Sequence, residues 1–104
     1  MTLNSTDKIN WEAIGPGWHS LVRRLIADLL SHGWDGNALQ VKEKFGGLRF
    51  YIDQTDEALH KLIDAAKAEA YRTCEMCGKP GSPRGGGWIK TLCDEHANGR
   101  PFGI

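Results

Sequence analysis

Cys74, Cys77, Cys93 and His96 are spaced C-x2-C-x15-C-x2-H and use every cysteine of the chain. Two pairs of soft donors, each pair split by two residues, are the usual layout of a structural zinc site. Each short spacing lets a tight turn aim both side chains at one ion, and the two pairs close a tetrahedron. Gly78 directly follows the first pair and can take the left-handed conformation that such a turn calls for. Four protein donors leave no position for the water or substrate that catalytic zinc holds. The quartet therefore predicts Zn2+ in a structural role, contributing to the folding of this end of the chain. His96 is the expected fourth ligand, with Asp94 or a water as the alternative. Lys79, Arg84 and Lys90 lie between the pairs and are expected to offset the charge of three thiolates.

Other uses of these thiols fit less well. An odd cysteine count argues against a disulfide framework. Met1 to Asn10 is polar and lacks the apolar core of a secretory leader. The expectation is a cytoplasmic protein whose thiols stay reduced. A thioredoxin-like role for Cys74 and Cys77 needs a strand before them and a helix after. Instead a helical pattern precedes them, and Gly, Pro and Ser follow.

Little else in the chain offers catalysis. Ser5, Ser20, Ser31 and Ser82 lack a nucleophile-elbow context. His19, His32 and His60 stand singly, and a lone helical histidine is more often solvated or at a core edge. The carboxylates form no recognisable pair, and Phe45-Gly46-Gly47-Leu48 is too short for a phosphate loop. The stretch from Leu92 to Gly99 superficially resembles the second knuckle of HNH-type endonucleases. Such enzymes need acidic or histidine residues between their knuckles, and the interval Gly78 to Leu92 has none. The chain is expected not to be an enzyme.

The 13 Lys and Arg residues are cancelled by 13 Asp and Glu, which removes the usual electrostatic footprint of a nucleic-acid binder. A nucleic-acid module is kept as the alternative, with Lys79, Arg84, Lys90 and Arg100 on phosphates and Trp88 stacking on a base. No apolar run approaches a membrane span. Most of the four tryptophans are expected in the core, where a small domain needs aromatic area. Trp88, Arg84, Arg49 and Tyr51 are candidates for a partner-binding surface, because exposed Trp, Tyr and Arg are enriched at binding hot spots.

The elements that must position these residues follow from periodicity. Residues 1–15 form a polar lead-in. In 16–73, Pro16 suits the first turn of a helix whose apolar stripe is Trp18, Leu21, Val22, Leu25, Ile26, Leu29 and Leu30, stopped at Gly33. Ala38 to Asp53 is a β-hairpin in which Leu39, Val41 and Phe45 flank a polar Lys42-Glu43-Lys44 patch. Gly46-Gly47 is placed at the turn, and Leu48, Phe50 and Ile52 alternate with Arg49 and Tyr51. Thr55 is the expected N-cap of a second helix with the stripe Leu59, Leu62, Ile63, Ala66 and Ala70. In 74–104, a zinc-binding, ribbon-like region packs on this core, with a flexible turn over Ser82 to Gly87 and a short strand at Trp88 to Leu92. The fold class is α+β: helix, β-hairpin, helix, then zinc-ribbon-like knuckles in one small domain.

The run Val41-Lys42-Glu43-Lys44-Phe45-Gly46-Gly47-Leu48-Arg49-Phe50-Tyr51 is distinctive. So are Gly17-Trp18 before it, and Cys74-Glu75-Met76-Cys77-Gly78-Lys79-Pro80-Gly81, Trp88 and Thr91-Leu92-Cys93-Asp94-Glu95-His96-Ala97 after it. Over Pro16 to Ala97 the chain resembles a family of small phage, prophage and bacterial proteins without an assigned activity. In that family a Cys often stands at the position of His96, which keeps the site tetrahedral. The resemblance implies a small protein that binds and modulates a bacterial host factor, for example as an inhibitor of a defence complex. This step is analogy of context.

Overall fold

The computed structural model describes residues 9–54, 56–85 and 89–98. Residues 1–8, Thr55 and Trp88, together with the Leu39 side chain, lie outside the described residues. Two short 3-10 turns, Trp11–Ala13 and Pro16–Trp18, lead into helix α1, His19–Ser31. Strands β1, Ala38–Lys44, and β2, Gly47–Ile52, form an antiparallel hairpin. Helix α2 spans Glu57–Ala70; strands β3, Ser82–Arg84, and β4, Lys90–Leu92, form a second antiparallel pair, and helix α3 spans Asp94–Asn98. The class is α+β, with two separate two-stranded sheets.

The main core forms where the apolar stripes of α1 and α2 meet the inner face of the hairpin. Leu21, Val22, Leu25 and Leu29 of α1 pack with Leu59, Ile63, Ala66 and Ala70 of α2 and with Leu48, Phe50 and Ile52 of β2. Trp18 is fully buried at their centre, and its indole N–H donates to the Thr73 carbonyl at 2.8 Å. Burial of this kind contributes roughly 25 cal/mol per Å² of apolar surface. Ile26 only leans on the core and Leu30 is exposed, so the buried stripe of α1 is narrower than its periodicity implied.

The stretch before residue 16 is less detached than its polarity implied. Ile14 is buried in the core, with Ile9 and Trp11 packed against it. His19 Nε2 lies 3.0 Å from both the Trp11 and Ile14 carbonyl oxygens, so this nitrogen must carry a proton to donate.

Three local details differ from the sequence expectations. The central residues of the β1–β2 turn are Phe45 (φ 55°) and Gly46 (φ 77°), because a two-residue hairpin loop of matching twist needs positive φ at both. Gly47 instead pairs with Lys44 in the sheet, and a side chain there would collide with the Tyr71 hydroxyl. Phe45 is therefore at an exposed tip and does not flank the core. The N-cap of α2 is Asp56, whose carboxylate accepts from the Ala58 N–H at 2.8 Å. Ser82–Arg84, expected within a flexible turn, is strand β3. No helix among the described residues is long and apolar enough to cross a membrane.

Candidate metal centre

Helix α2 ends at Ala70 and runs through Tyr71 to Thr73 into the first ligand pair. A bridge between Thr73 and Pro80 closes the neck of a tight turn. Inside it the Cys74 N–H donates to the Lys79 carbonyl (2.7 Å) and the Gly78 N–H to the Cys74 carbonyl (2.8 Å). Gly78 takes φ 86°, the left-handed geometry its position implied. The second pair is built differently. Cys93 sits at the start of α3 and His96 in its first turn, with the Ala97 N–H donating to the Cys93 carbonyl at 2.9 Å. The site thus joins one knuckle to one helix start across the β3–β4 hairpin, where two ribbon-like knuckles were expected.

The Cys74, Cys77 and Cys93 sulfurs and a His96 ring nitrogen all lie within 4.8 Å of one another. Cys77 Sγ is 3.7 Å from Cys93 Sγ, and Cys74 Sγ is 3.6 Å from His96 Nδ1. A tetrahedral ion with metal–sulfur bonds of about 2.3 Å has sulfur–sulfur edges of about 3.8 Å, and slightly shorter sulfur–nitrogen edges. Both observed edges match. Cys93 Sγ and His96 Nδ1 are closer, at 3.2 Å, the spacing of a thiolate–imidazole hydrogen bond. The quartet can hold a metal ion with no donor from outside the chain. Asp94, the alternative fourth ligand, turns away to bond Arg84 Nη2 through Oδ1 at 2.6 Å.

The electrostatics divide the four donors: Cys74 and Cys93 are moved toward the thiolate that a metal needs, whereas Cys77 and His96 are held toward their protonated forms. The His96 backbone N–H and then its imidazole lower the Cys93 thiol to about 6. Burial pushes the Cys74 thiol up, but the backbone N–H groups of Cys93, Met76 and Cys77 outweigh it and the net shift is downward. Cys77 is shifted upward: the Lys79 backbone N–H favours its thiolate, but desolvation and the Cys74 and Cys93 sulfurs prevail. His96 is raised, chiefly by its hydrogen bond to Cys93. Cys74 and Cys93 are buried with Leu92 and Ala97, whereas Cys77 is exposed.

Two contacts that sequence reasoning missed tie this centre to the rest of the fold. The Gly15–Gly17 turn lies directly on the knuckle: the Gly17 N–H donates to the Glu75 carbonyl at 2.8 Å. A Cβ at Gly17 would strike the Cys74 carbonyl oxygen and the backbone nitrogens of Cys77 and Gly78, and one at Gly15 would strike Glu75. These glycines do more than punctuate the chain; they make room for the metal turn.

On the other side the tip of the β1–β2 hairpin docks on β4. Lys90 Nζ bridges Glu43 Oε1 (3.0 Å) and Glu75 Oε1 (3.3 Å). Glu75 Oε2 accepts the Thr91 N–H, Glu43 Oε2 accepts the Gly46 N–H, and Thr91 Oγ1 donates to the Gly46 carbonyl at 2.6 Å. Glu75 is only 3 % exposed, and its burial raises its pKa. Desolvation alone would lower Lys90, but its hydrogen bond to Glu43 and the charge of Glu75 raise it. Every buried charge here has a partner, as burial demands. Glu43 stands within a polar run of the sequence, but its place opposite Leu48 in the register puts it on the inner face.

The candidate partner residues separate. Arg49 and Tyr51 share the outer face of β2, with Arg49 Nη1 3.4 Å from the Tyr51 hydroxyl. Arg84 belongs to the metal region, where its Nε donates to the Leu92 carbonyl and its Nη2 pairs with Asp94. Trp88 lies outside the described residues. No protein-family model, curated protein or solved structure matches the chain.

Proposed function

We propose that this chain is a non-enzymatic, zinc-stabilised protein-binding module that works in the bacterial cytoplasm. By the motif resemblance described above, it is a phage- or prophage-encoded inhibitor or modulator of a host factor such as a defence complex. The observation that carries the non-enzymatic reading is the closed donor set. Three sulfurs and one imidazole within 4.8 Å of one another, with two of their separations at tetrahedral edge length, suit Zn2+ and would leave it no open position, so the ion would serve the fold. Cys74, Cys77, Cys93 and His96 would hold it, and its chemistry would be confined to cross-linking the knuckle to α3.

The nucleic-acid alternative draws less support. Of the four cations proposed for phosphate contact, Lys79 pairs with Glu95, Arg84 with Asp94, and Lys90 with Glu43 and Glu75, while Arg100, like Trp88, lies outside the described residues. The protein-binding reading draws instead on the hot-spot composition of the exposed Arg49–Tyr51 pair.

An affinity pull-down of the tagged protein from bacterial lysate, with and without nuclease, tests this reading by mass spectrometry. A defined protein complex that survives nuclease is the expected result. Protein partners that vanish with nuclease, leaving recovered nucleic acid, would replace it with the alternative.

A further inference from the structure

The formal charge of the chain is zero, yet the hairpin distributes it unevenly. In the β1–β2 register Gln40, Lys42 and Lys44 stand opposite Tyr51, Arg49 and Gly47. These positions alternate with the buried Leu48, Phe50 and Ile52 and, apart from Gly47, which is buried beneath the Tyr71 hydroxyl, form the outer face of the sheet. Lys67 of α2 adds its ammonium 6.0 Å from the centre of the Tyr51 ring. Glu43, the acid between the two lysines, points inward to Lys90. Among the described residues, no carboxylate comes within ion-pair distance of Lys42, Lys44, Arg49 or Lys67. Moreover, Lys42 and Arg49 are direct cross-strand partners, and like charges in that position destabilise a sheet. The fold tolerates a repulsion there that one opposite charge would remove.

We infer that this face is the contact surface of the proposed module and that it takes an acidic segment of a partner protein. The inference rests on the protein-binding reading above. Charge complementarity sets the sign of the partner, and the Arg49–Tyr51 pair supplies an anchor of hot-spot type. A phosphate backbone is the other polyanion, but it needs a basic track that follows the strand. The basic face is only two strands wide, and Arg24, Lys61, Lys79, Arg84 and Lys90 are each already ion-paired.

Fluorescence anisotropy with two labelled probes, a short poly-L-glutamate and an oligothymidylate of similar charge, tests the inference. The variants are Lys42→Glu and, as a control with the same charge change, Lys61→Glu on exposed α2. The wild type is expected to bind polyglutamate in preference to the oligonucleotide. Lys42→Glu should weaken this at least about tenfold, and Lys61→Glu should leave it within about twofold. Lys42→Glu should also raise the melting temperature, because it turns a repulsive pair into an attractive one; the loss then cannot come from unfolding. Equal losses in both variants, or no loss in Lys42→Glu, would overturn the assignment of the face. Failure of the wild type to bind either probe would overturn this inference while leaving the protein-binding reading intact. Tighter, Lys42-dependent binding of the oligonucleotide would overturn both.

Discussion

At Cys93 the thiol meets the His96 backbone N–H and imidazole, which bring it from an ordinary 9.0 to about 6. A thiol lowered in the folded state contributes stability that is complete above its unfolded value and lost as pH falls through about 6. Metal binding acts in the same direction, since each ligand must shed its proton. Retention of added Zn2+, followed with a metallochromic dye, should be full at slightly alkaline pH and be lost on acidification, as protons compete with the ion for the ligands. Retention unchanged down to about pH 4 would contradict thiolate ligation. Cys93→Ser should release the ion and cost about 3 kcal/mol or more of stability; unchanged melting and metal content would remove the quartet from its role. The two arginines should separate under the same assay. Arg84→Ala loses bonds to the Leu92 carbonyl and Asp94 and should cost about 1 kcal/mol. Arg49→Ala should leave stability within about 0.5 kcal/mol. If Arg49→Ala unfolds the protein, Arg49 belongs to the fold and not to a binding surface.

The tip of the β1–β2 hairpin and strand β4 are joined by a network of polar groups. Thr91→Val keeps the shape but strips the Gly46 carbonyl of its hydroxyl donor, and should cost about 1–3 kcal/mol in urea unfolding. Lys90→Met should cost about 3 kcal/mol, because it leaves the buried Glu75 without its cation. This docking also marks the limit of what the sequence discloses. The ligand quartet was legible because each pair is local, two residues apart, and metal chemistry restricts the residue types. The helices were legible because burial on one side imposes a period. Where neighbours along the chain do not decide burial, the pattern misleads: Leu30 has apolar spacing but no opposing surface, and Phe45 occupies a tip because twist selects the turn residues. Glu43 looks like part of a solvated patch, and only its contact with Lys90, 47 residues away, reveals a partly buried pair.

Across the whole molecule the knuckle is wedged between the Gly15–Gly17 turn and the hairpin tip, so the metal centre and the helical core form one unit. Gly17→Ala should therefore destabilise the protein by at least about 1–3 kcal/mol, since its methyl would meet backbone that cannot swing aside. Chelation of the ion should lower amide-exchange protection in α1 as well as in the metal region, through Trp18 and its bond to the Thr73 carbonyl. Protection lost only beyond residue 73 would mean that the two parts melt independently. The Gly17–Glu75 hydrogen bond also bears on the timing of biosynthesis. A ribosome extends the chain from its N-terminus, so the turn ahead of α1 leaves the exit tunnel well before the knuckle it must rest on. His96, the last ligand, emerges later still. Trp18 would thus lack its Thr73 partner until α2 and the start of the knuckle are outside, and the set of four donors would be complete only after the core segments have all emerged.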